Sequence, residues 1–333
     1  MKLNRWVIGI TGGSGYIGSS LAKHLEYSFD VRLLDVRRPT QRFQGSVSFQ
    51  FCDVRNFEEV KRSLEGVDLV IHTAIIQIPR INKEKKLGYE VNFLGTQNVC
   101  KVVDENPRIK GMILAGSWHT VGERELKGMI DEEFGFRPDK VEDRARLYAL
   151  SKIAQESIVR FYDEMSEKVF GIIRMGTVLG EGMPEKTAAN IFIENGLKGK
   201  PITPFKHSMF RPMLYVDVGD ICKAYENYVK KILNEEVKKE GNSLIHIFNV
   251  YYPEPLTILE LAKIVRDSIV KCSNGRISPK VEVVDTGRPI IFSEEDKKRF
   301  RVNVSKALNL LGLGRLKSPK ETIERIVKLR LKH

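Results

Sequence analysis

The chain has 333 residues, 42% of them hydrophobic, with 26 glycines and a formal net charge of +12. This length suits one large domain or a domain with a smaller companion, and the composition excludes a disordered, collagen-like or repeat protein. No apolar run approaches the roughly 20 residues of a membrane span, and the run near the N-terminus is too short for a signal peptide. We therefore expect a cytoplasmic protein without a membrane partner.

The basic residues and the cysteines point to neither nucleic acid nor metal. Lysines and arginines lie in short clusters mixed with acids along the whole chain, whereas a nucleic-acid binder gathers them on one face. The cysteines are widely spaced and form no C-x-x-C pair, so neither zinc nor a disulfide framework is indicated. They are Cys52, Cys100, Cys222 and Cys272. We expect a reduced protein with no metal, whose basic surface can steer anionic small molecules.

The first predicted strand, Trp6–Thr11, leads into a glycine-rich turn and then a helix with apolar positions at helical spacing. Gly12, Gly15 and Gly18 form the pattern G-x-x-G-x-x-G. In a dinucleotide-binding turn such glycines allow a tight turn, close approach of the pyrophosphate and close packing of helix on strand. The helix N-terminus, which begins near Tyr16 and Ile17, offers unpaired amides to the phosphates.

The second predicted strand, "DVRLLDV", carries Asp35 near its end. An acid at this distance from the glycines is placed to bind the adenosine ribose hydroxyls. A carboxylate here favours NAD, because it would repel the 2′-phosphate of NADP. Arg37 and Arg38 follow at once and could accept that phosphate if Asp35 turned away.

Strands and helices continue to alternate after this point. A third strand lies within "FQFCDVRN", a helix covers residues 57–64, and a fourth strand covers residues 67–74. This alternation predicts a parallel, doubly wound α/β sheet, whose ligands collect at the carboxyl ends of the strands. The expected cofactor-binding positions at those ends are Gly12, Asp35, Asp53, Val54, Thr73 and Ala74. We interpret His72 as structural.

Motifs in a fixed order run from about residue 9 to about residue 313. They include "TGGSGYIG", "LLDV", "VIHTA", "YEVNFLGTQNV", "MILAGSWHTVG", "LYALSK", "RPMLYVDVGDICKAY" and "NVSKALNLLGL". Together they resemble the extended short-chain dehydrogenase/reductase family, which contains nucleotide-sugar epimerases and dehydratases. The resemblance implies a Rossmann-type fold with a smaller mixed C-terminal substrate lobe, NAD as cofactor and a small-molecule substrate.

The same resemblance divides the chain and suggests its assembly. Residues 1–175 would form the NAD-binding Rossmann domain, to which segments at about 211–230 and 245–252 return. Residues 176–210 and 253–333 would form the substrate-binding lobe. The family commonly forms homodimers through the helices that here carry Asn92–Val103 and Tyr148–Phe161.

Tyr148 and Lys152 stand four residues apart, so a helix places them on one face. The resemblance implies that Tyr148 is the acid/base of the reaction and that Lys152 binds the nicotinamide ribose. We expect the Lys152 ammonium, with the positive nicotinamide ring, to lower the pKa of Tyr148. Ser117 matches the family's serine or threonine, which hydrogen-bonds the reacting oxygen.

Several other residues are candidates for contacts with cofactor or substrate. Asn92 matches a family asparagine and most simply ties its helix to the active-site strand. His119 follows Ser117 closely, and "SWHTVG" resembles the same loop of uronate dehydrogenases; a substrate contact and a loop histidine both remain open. Thr177 stands where epimerases carry a substrate-binding asparagine.

Three more candidates lie in the second half of the chain: Asn190, Arg211 and Arg288. Asn190 is a candidate substrate contact. Arg211 would meet a substrate diphosphate or form an ion pair with Asp217 or another acid. Arg288 would contact phosphate, although the family stretch around it is not preserved.

Three functions follow from these motifs, in decreasing order of support. The first is a nucleotide-sugar epimerase; a dehydratase is disfavoured because Trp118 and His119 replace its acid/base pair. The second is an NAD-dependent sugar or uronate-type dehydrogenase that releases NADH, which His119 and Thr177 favour. The third is a non-catalytic NAD(H)-binding sensor, against which Ser117, Tyr148 and Lys152 argue.

Overall fold

The computed structural model describes residues 5–237, 239 and 241–332. The strands are β1 (Val7–Thr11), β2 (Asp30–Asp35), β3 (Val47–Phe51), β4 (Leu69–His72), β5 (Gly111–Ser117), β6 (Gly128–Ile130), β7 (Val169–Met175), β8 (Thr177–Leu179), β9 (Pro212–Met213), β10 (Tyr215–Asp217), β11 (Ile247–Val250), β12 (Leu256–Thr257) and β13 (Phe300–Val302). The α-helices are α1 (Tyr16–Leu25), α2 (Phe57–Ser63), α3 (Arg80–Lys83), α4 (Lys85–Tyr89), α5 (Thr96–Glu105), α6 (Arg146–Met165), α7 (Ala188–Leu197), α8 (Val218–Leu233), α9 (Ile258–Cys272), α10 (Ser305–Leu310) and α11 (Pro319–Arg330).

Seven strands form one sheet in the order β3-β2-β1-β4-β5-β7-β11. Every neighbouring pair in this sheet is parallel. The strand order reverses between β1 and β4, and such a switch point leaves a crevice for ligands at the carboxyl ends of the strands. This sheet confirms the predicted Rossmann-type α/β class.

Helices cover both faces of the sheet, which explains why its strands are continuous apolar runs. Helices α1 and α8 pack together on one face, while α2, α5 and α6 pack on the other. Each face has its own buried cluster, one around Ile8, Ile10 and Leu21 and the other around Val70 and Val99. The sheet is therefore packed between two layers of helices.

The remaining strands form three short pairs outside the main sheet: β8 with β10, β9 with β12, and β6 with β13. Of the two segments expected to return to the first domain, β11 joins β7 in the main sheet. The other segment, at about 211–230, returns only in part. Its helix α8 lies against β5 and β7, but its strand β10 pairs with β8 outside the main sheet.

Helices α7, α9 and α11 pack together around α9, in the region predicted to be the substrate lobe. The predicted division into two domains stays a prediction, and residues 1–4 and 333 of its ranges lie outside the described residues.

Candidate active site

The turn between β1 and α1 can be built only with glycine at two positions. Gly12 has a φ of +68°, and a Cβ there would lie 2.6 Å from both Cα and N of Ala74. A Cβ on Gly18 would lie 2.5 Å from the backbone oxygen of Gly12. The backbone of this turn therefore lies against the end of β4, and α1 starts close to β1.

The N-terminus of α1 is left open to a ligand. Gly15 caps the helix in an extended conformation, and no described side chain hydrogen-bonds to its first amides or places an acid in its first turn. The first amides of a helix have no partner within the helix, and together with the helix dipole they favour an anion. This end of α1, with Tyr16 and Ile17 in its first turn, fits the diphosphate of a dinucleotide.

Asp35, at the end of β2, is fixed by two backbone amides. Its Oδ2 accepts a hydrogen bond from Ser14 N at 3.1 Å, and its Oδ1 accepts one from Arg37 N at 3.1 Å. The Arg38 guanidinium lies 5.2 Å from the centre of the Phe49 ring. Since Asp35 is held in place and Arg38 stacks elsewhere, this end of the crevice fits the ribose of NAD.

Asp53 and Thr73 lie at the same edge of the sheet. The Asp53 carboxylate pairs with Arg55 at 2.5 Å, and the hydrogen bond from Arg55 holds the pKa of Asp53 below its usual range. The Thr73 hydroxyl donates to Thr11 O at 2.7 Å, which joins the ends of β4 and β1. Val54 is buried against Gly95, so its side chain supports the helix that begins there.

Asn92 is fully buried in a π-helical turn, Glu90–Gly95, that precedes α5. Its Oδ1 accepts from Ile76 N at 2.7 Å, and its Nδ2 donates to Ile76 O at 3.0 Å and Ser151 Oγ at 3.1 Å. These bonds tie the π-helical turn to α6 and to the loop after β4, and not to the active-site strand that the sequence led us to expect.

His72 is also buried, between two threonine hydroxyls. Its Nδ1 lies 2.6 Å from Thr11 Oγ1 and its Nε2 lies 3.0 Å from Thr96 Oγ1. Burial lowers the pKa of His72 to about 3. A neutral histidine bonded on both nitrogens fits the structural interpretation.

Ser117 and the Lys152 ammonium both lie near the carboxyl end of β5. Ser117 is the last residue of β5 and is nearly buried. The Lys152 Nζ, in the second turn of α6, donates to Ala115 O at 2.6 Å and to Gln155 Oε1 at 3.0 Å. Burial lowers the pKa of Lys152 to about 7, although the charge of Glu156 acts in the opposite direction.

Tyr148 lies one turn before Lys152 on α6 and is partly buried. Burial raises the pKa of the Tyr148 phenol, and the nearby Ser117 hydroxyl acts to lower it. The sequence led us to expect this lowering from the Lys152 ammonium. Among the groups of this chain, the lowering instead comes from Ser117.

A network of ionisable side chains continues from Ser117. His119 Nδ1 lies 3.3 Å from Ser117 Oγ, and His119 Nε2 lies 3.4 Å from Glu123 Oε1. Arg211 Nη1 lies 4.0 Å from that same oxygen and 2.7 Å from Glu142 Oε1. Arg211 therefore forms the ion pair with an acid that was one of its two predicted roles, but the acid is Glu142 and not Asp217.

Sequence reasoning missed Glu123 and Glu142. The only local signal is that Glu123 follows His119 by four residues, a spacing that joins side chains on a helical turn. Trp118–Val121 does form a short 3-10 helix, and Glu123 comes two residues after it. The Glu142 contact depends on Arg211, far along the chain, so no local pattern reveals it.

The other predicted substrate residues lie in different surroundings. Thr177 Oγ1 is 3.4 Å from Trp118 Nε1, which places it beside the Ser117 loop. Asn190 is buried, and its Oδ1 accepts from Arg330 at 2.7 Å. Arg288 is exposed, in a stretch without regular secondary structure. The structure therefore brings Thr177 and Arg211 to the site but gives Asn190 and Arg288 no contact with it.

Membrane-spanning helices and metal-binding clusters are absent from the described part of the chain. No helix there is both long and apolar enough to cross a membrane. No group of three or more His, Cys, Asp or Glu side chains among these residues is arranged to hold a metal ion.

Two proteins of known description have similar sequences. A protein of Methanocaldococcus jannaschii, named "Putative UDP-glucose 4-epimerase", is 28% identical over 254 residues, which cover 72% of this chain and 80% of that protein. The uronate dehydrogenase of Pseudomonas syringae is 28% identical over 177 residues, which cover 53% of this chain and 59% of that enzyme.

Solved structures share the fold over the whole chain. The UDP-glucose 4-epimerase of Thermus thermophilus, in complex with NAD, superposes with a TM-score of 0.74 at 23% identity and covers 97% of this chain and 99% of its own. The UDP-glucose 4-epimerase of Thermotoga maritima, with UDP-glucose, superposes with a TM-score of 0.76 at 19% identity and covers 98% and 99%. At these identities the likeness concerns the fold.

A family model matches most of the chain. The model of the NAD dependent epimerase/dehydratase family matches residues 8–242, from β1 to the end of the loop that follows α8. It confirms the predicted family and NAD as the cofactor. This chain belongs to the NAD-dependent epimerase/dehydratase family.

Proposed function

We propose that this protein is an NAD-dependent epimerase of nucleotide sugars in which Tyr148 is the acid/base. One observation carries the proposal: Tyr148 lies in the first turn of α6, which packs against β5, and Lys152 Nζ of the same helix donates to Ala115 O at 2.6 Å, two residues before Ser117. Lys152 is buried one turn further along α6, at the edge of the sheet that also carries the Gly12 turn. A non-catalytic NAD(H) sensor would need the turn but not the phenol.

Different residues of the chain would bind different parts of the cofactor. The amides at the start of α1 would bind its diphosphate, Asp35 its adenosine ribose, and Lys152 its nicotinamide ribose. NAD, when bound, supplies a hydride acceptor that can also return the hydride. Lys152 is buried with a lowered pKa, so a hydrogen-bonding partner such as a ribose hydroxyl would stabilise its charged form.

Tyr148 and Ser117 would act on the oxygen of the sugar hydroxyl that reacts. Ser117 donates a hydrogen bond to the reacting oxygen and stabilises the charge that develops there. Tyr148 takes the hydroxyl proton as the carbon is oxidised and gives it back when the carbon is reduced. If the sugar turns its other face before reduction, the configuration at that carbon is inverted.

The proposal of a nucleotide sugar draws on two kinds of support. Similar structures are complexes with UDP-glucose, and the name of a relative includes UDP-glucose 4-epimerase. The predicted substrate lobe offers a surface for the nucleotide. The homodimer predicted from the family, through α5 and α6, stays a prediction.

A dehydrogenase that releases its product and NADH is the second candidate. The observation that favours it is His119, whose ring meets the Tyr148 ring edge-on with 5.5 Å between centres. The similarity to a uronate dehydrogenase over 177 residues agrees with it. A histidine this close to the phenol gives the substrate proton a route away from the site.

The test is incubation of the protein with NAD and UDP-glucose or UDP-galactose. Proton NMR would follow the sugar, and absorbance at about 340 nm would follow NADH. An epimer that forms without net NADH supports the proposal. NADH that accumulates in proportion to an oxidised sugar supports the dehydrogenase. If both sugars stay unchanged, the same assay with free sugars and uronic acids decides whether the nucleotide part of the proposal is wrong.

A further inference from the structure

Gln155 is a buried glutamine on α6, three residues after Lys152, and it is 1% exposed. Its Oε1 lies 3.0 Å from Lys152 Nζ, on the same face of the helix. Its Nε2 lies 2.9 Å from Thr96 Oγ1 on α5 and 3.4 Å from Ala74 O in the loop after β4. The Gln155 amide therefore joins the Lys152 ammonium to two other elements of the crevice.

The partners of this amide fix its orientation. An ammonium can only donate hydrogen bonds, and a backbone carbonyl can only accept them. The oxygen of Gln155 must therefore face Lys152, and its NH2 group must face Ala74 O. A reversed amide would bring two donors together at Lys152 and two acceptors together at Ala74. Gln155 thus presents only an acceptor to the lysine.

The Thr96 hydroxyl holds the other end of the amide. Its single proton is donated to Asn92 O at 2.8 Å, so its oxygen can only accept from the groups that remain. These groups are Gln155 Nε2 at 2.9 Å and His72 Nε2 at 3.0 Å. His72 therefore carries its proton on Nε2.

His72 extends the network to the first strand. A neutral imidazole with hydrogen on Nε2 accepts at Nδ1, and Thr11 Oγ1 lies 2.6 Å from that nitrogen. Burial lowers the pKa of His72 to about 3, which keeps the ring neutral. Thr11 is the last residue of β1 and directly precedes Gly12. The acceptor of Lys152 is thereby anchored to the strand that leads into the glycine turn.

An ammonium has three N–H donors, and two of those on Lys152 are engaged within the chain. One donates to Ala115 O at 2.6 Å and the other to Gln155 Oε1. We propose that Gln155 is a positioning residue, which holds the Lys152 ammonium so that its third N–H is left for the nicotinamide ribose. This role rests on the proposed function. Gln155 acts on the cofactor only through Lys152.

Gln155 also affects the charge of Lys152. Burial opposes the ammonium form, and the pKa of Lys152 is lowered for that reason. An acceptor that bonds to the ammonium favours the charged form. Without Gln155 Oε1, the buried ammonium would keep Ala115 O as its acceptor and would be free to turn about it. Both the charge and the direction of the lysine would then change.

The titratable groups around Lys152 do not replace Gln155 as an acceptor. On α6, Tyr148 lies one turn before Lys152, and Glu156 is engaged in a buried ion pair at 2.6 Å. The charge of Glu156 nevertheless favours the ammonium form. On β4, His72 is neutral and its Nδ1 is already bonded. From β5 and α5 the network receives a backbone carbonyl and a hydroxyl, which carry no charge.

The first test needs no substrate and no cofactor. Carbon-13 NMR of protein labelled at the lysine Cε atoms follows the titration of Lys152, and the signal lost in Lys152→Met identifies it. Gln155→Met keeps the length of the side chain but removes the acceptor, so we expect the midpoint of this titration to move about one pH unit lower. Gln155→Glu keeps an acceptor and adds a negative charge, so the midpoint should move higher. A midpoint that stays in place in both variants would overturn the proposal, even if the enzyme proves to be an epimerase.

The second test is calorimetric titration of Gln155→Met with NAD at several pH values. At pH 8 we expect binding to be about tenfold weaker than in the native protein, because less of Lys152 is charged. At pH 5.5, where the lysine is charged in more of both proteins, the loss should shrink to about threefold or less. A loss by the same factor at every pH would mean a structural role only and would overturn the proposal.

Gln97→Met is the matched control for this titration. The Gln97 amide also joins α5 to α6, since its Nε2 donates to Tyr162 Oη at 2.7 Å, but it does not bond to Lys152. We expect native NAD affinity at both pH values. The same pH-dependent loss in Gln97→Met would show that any weakening of the contact between α5 and α6 has this effect, and it would overturn the role given to Gln155.

Discussion

The two sides of the candidate site are built from different parts of the chain. On the cofactor side, the surface between Gly12 and Gly18 is mainly backbone, and its shape follows from the absence of side chains. On the substrate side, the surface after β5 is made of side chains, and Glu123 is held by Arg211 from another part of the chain. The first side is encoded locally, whereas the second exists only after the tertiary structure has formed.

This difference determines what each side tolerates. The turn made of backbone is disrupted when a Cβ is added, because the new atom would overlap neighbouring backbone atoms. A buried ionic network fails when one partner is removed, because the remaining charges lose their compensation. The predictions below separate these two kinds of failure.

The largest effect on stability is expected at Arg211. Arg211→Met leaves the Glu142 carboxylate without its buried partner and removes the nearby charge from Glu123. Removing one member of a buried ion pair costs about 3–5 kcal/mol, so urea unfolding should show a loss of that size. Arg144→Met is the control: its guanidinium bonds Glu142 at 2.6 Å but is 46% exposed, so the cost should stay below about 1 kcal/mol. Equal losses in the two variants would contradict the account of this network.

Two glycines in the turn between β1 and α1 give a matched pair of variants, whose effect on stability is smaller than that of Arg211→Met. Gly18→Ala places a Cβ 2.5 Å from Gly12 O, and we expect unfolding to become easier by about 1–3 kcal/mol. Gly15→Ala meets that oxygen only at 3.2 Å and has an ordinary backbone φ of −74°, so stability should change little.

The affinity for NAD should nevertheless fall in Gly15→Ala, because the methyl group would stand where the diphosphate approaches the helix. Thermal unfolding and calorimetric titration with NAD measure the two quantities separately. A Gly15→Ala protein that is unstable but binds NAD normally would reverse the assignment of the two glycines.

The most gradual effect is a pH dependence of stability from Lys152, in protein without added NAD. Its folded-state pKa is lowered to about 7, below that of an unfolded lysine. Between these two values the unfolded chain binds more protons than the folded one, so this residue makes stability rise with pH, by about 1 kcal/mol per pH unit. Below about pH 7 both states are protonated and the folded state bears the full cost of a buried charge.

Lys152→Met should remove this dependence. Urea unfolding at pH 6, 7, 8 and 9 would show a variant whose advantage over the native protein is largest at low pH and falls as pH rises. A constant difference across that range would mean that Lys152 is not buried as a strained cation.

The fold was predictable from the sequence because its signals are local. The glycine spacing, the apolar strands and Asp35 at the end of β2 all lie within short stretches. The pairing of β10 with β8 was not predicted, because two strands of three residues each carry too little pattern to reveal a partner.

The site was predictable only where a motif carries it. Ser117, Tyr148 and Lys152 came from a resemblance to known proteins, and so did Arg211. The roles of Glu123 and Glu142 were not predicted, because a glutamate in a loop is usually exposed to solvent. Their burial results from a contact with Arg211 that spans 69 residues between Glu142 and its partner.

The central claim, that Tyr148 performs the proton transfer while other residues of the crevice hold NAD, is tested most directly by Tyr148→Phe. The phenyl ring keeps its place on α6, so the account predicts native NAD affinity and a fall in kcat of about 100-fold to 10,000-fold on the nucleotide sugar that the native protein converts. Native turnover by Tyr148→Phe, measured side by side with NAD binding, would contradict it.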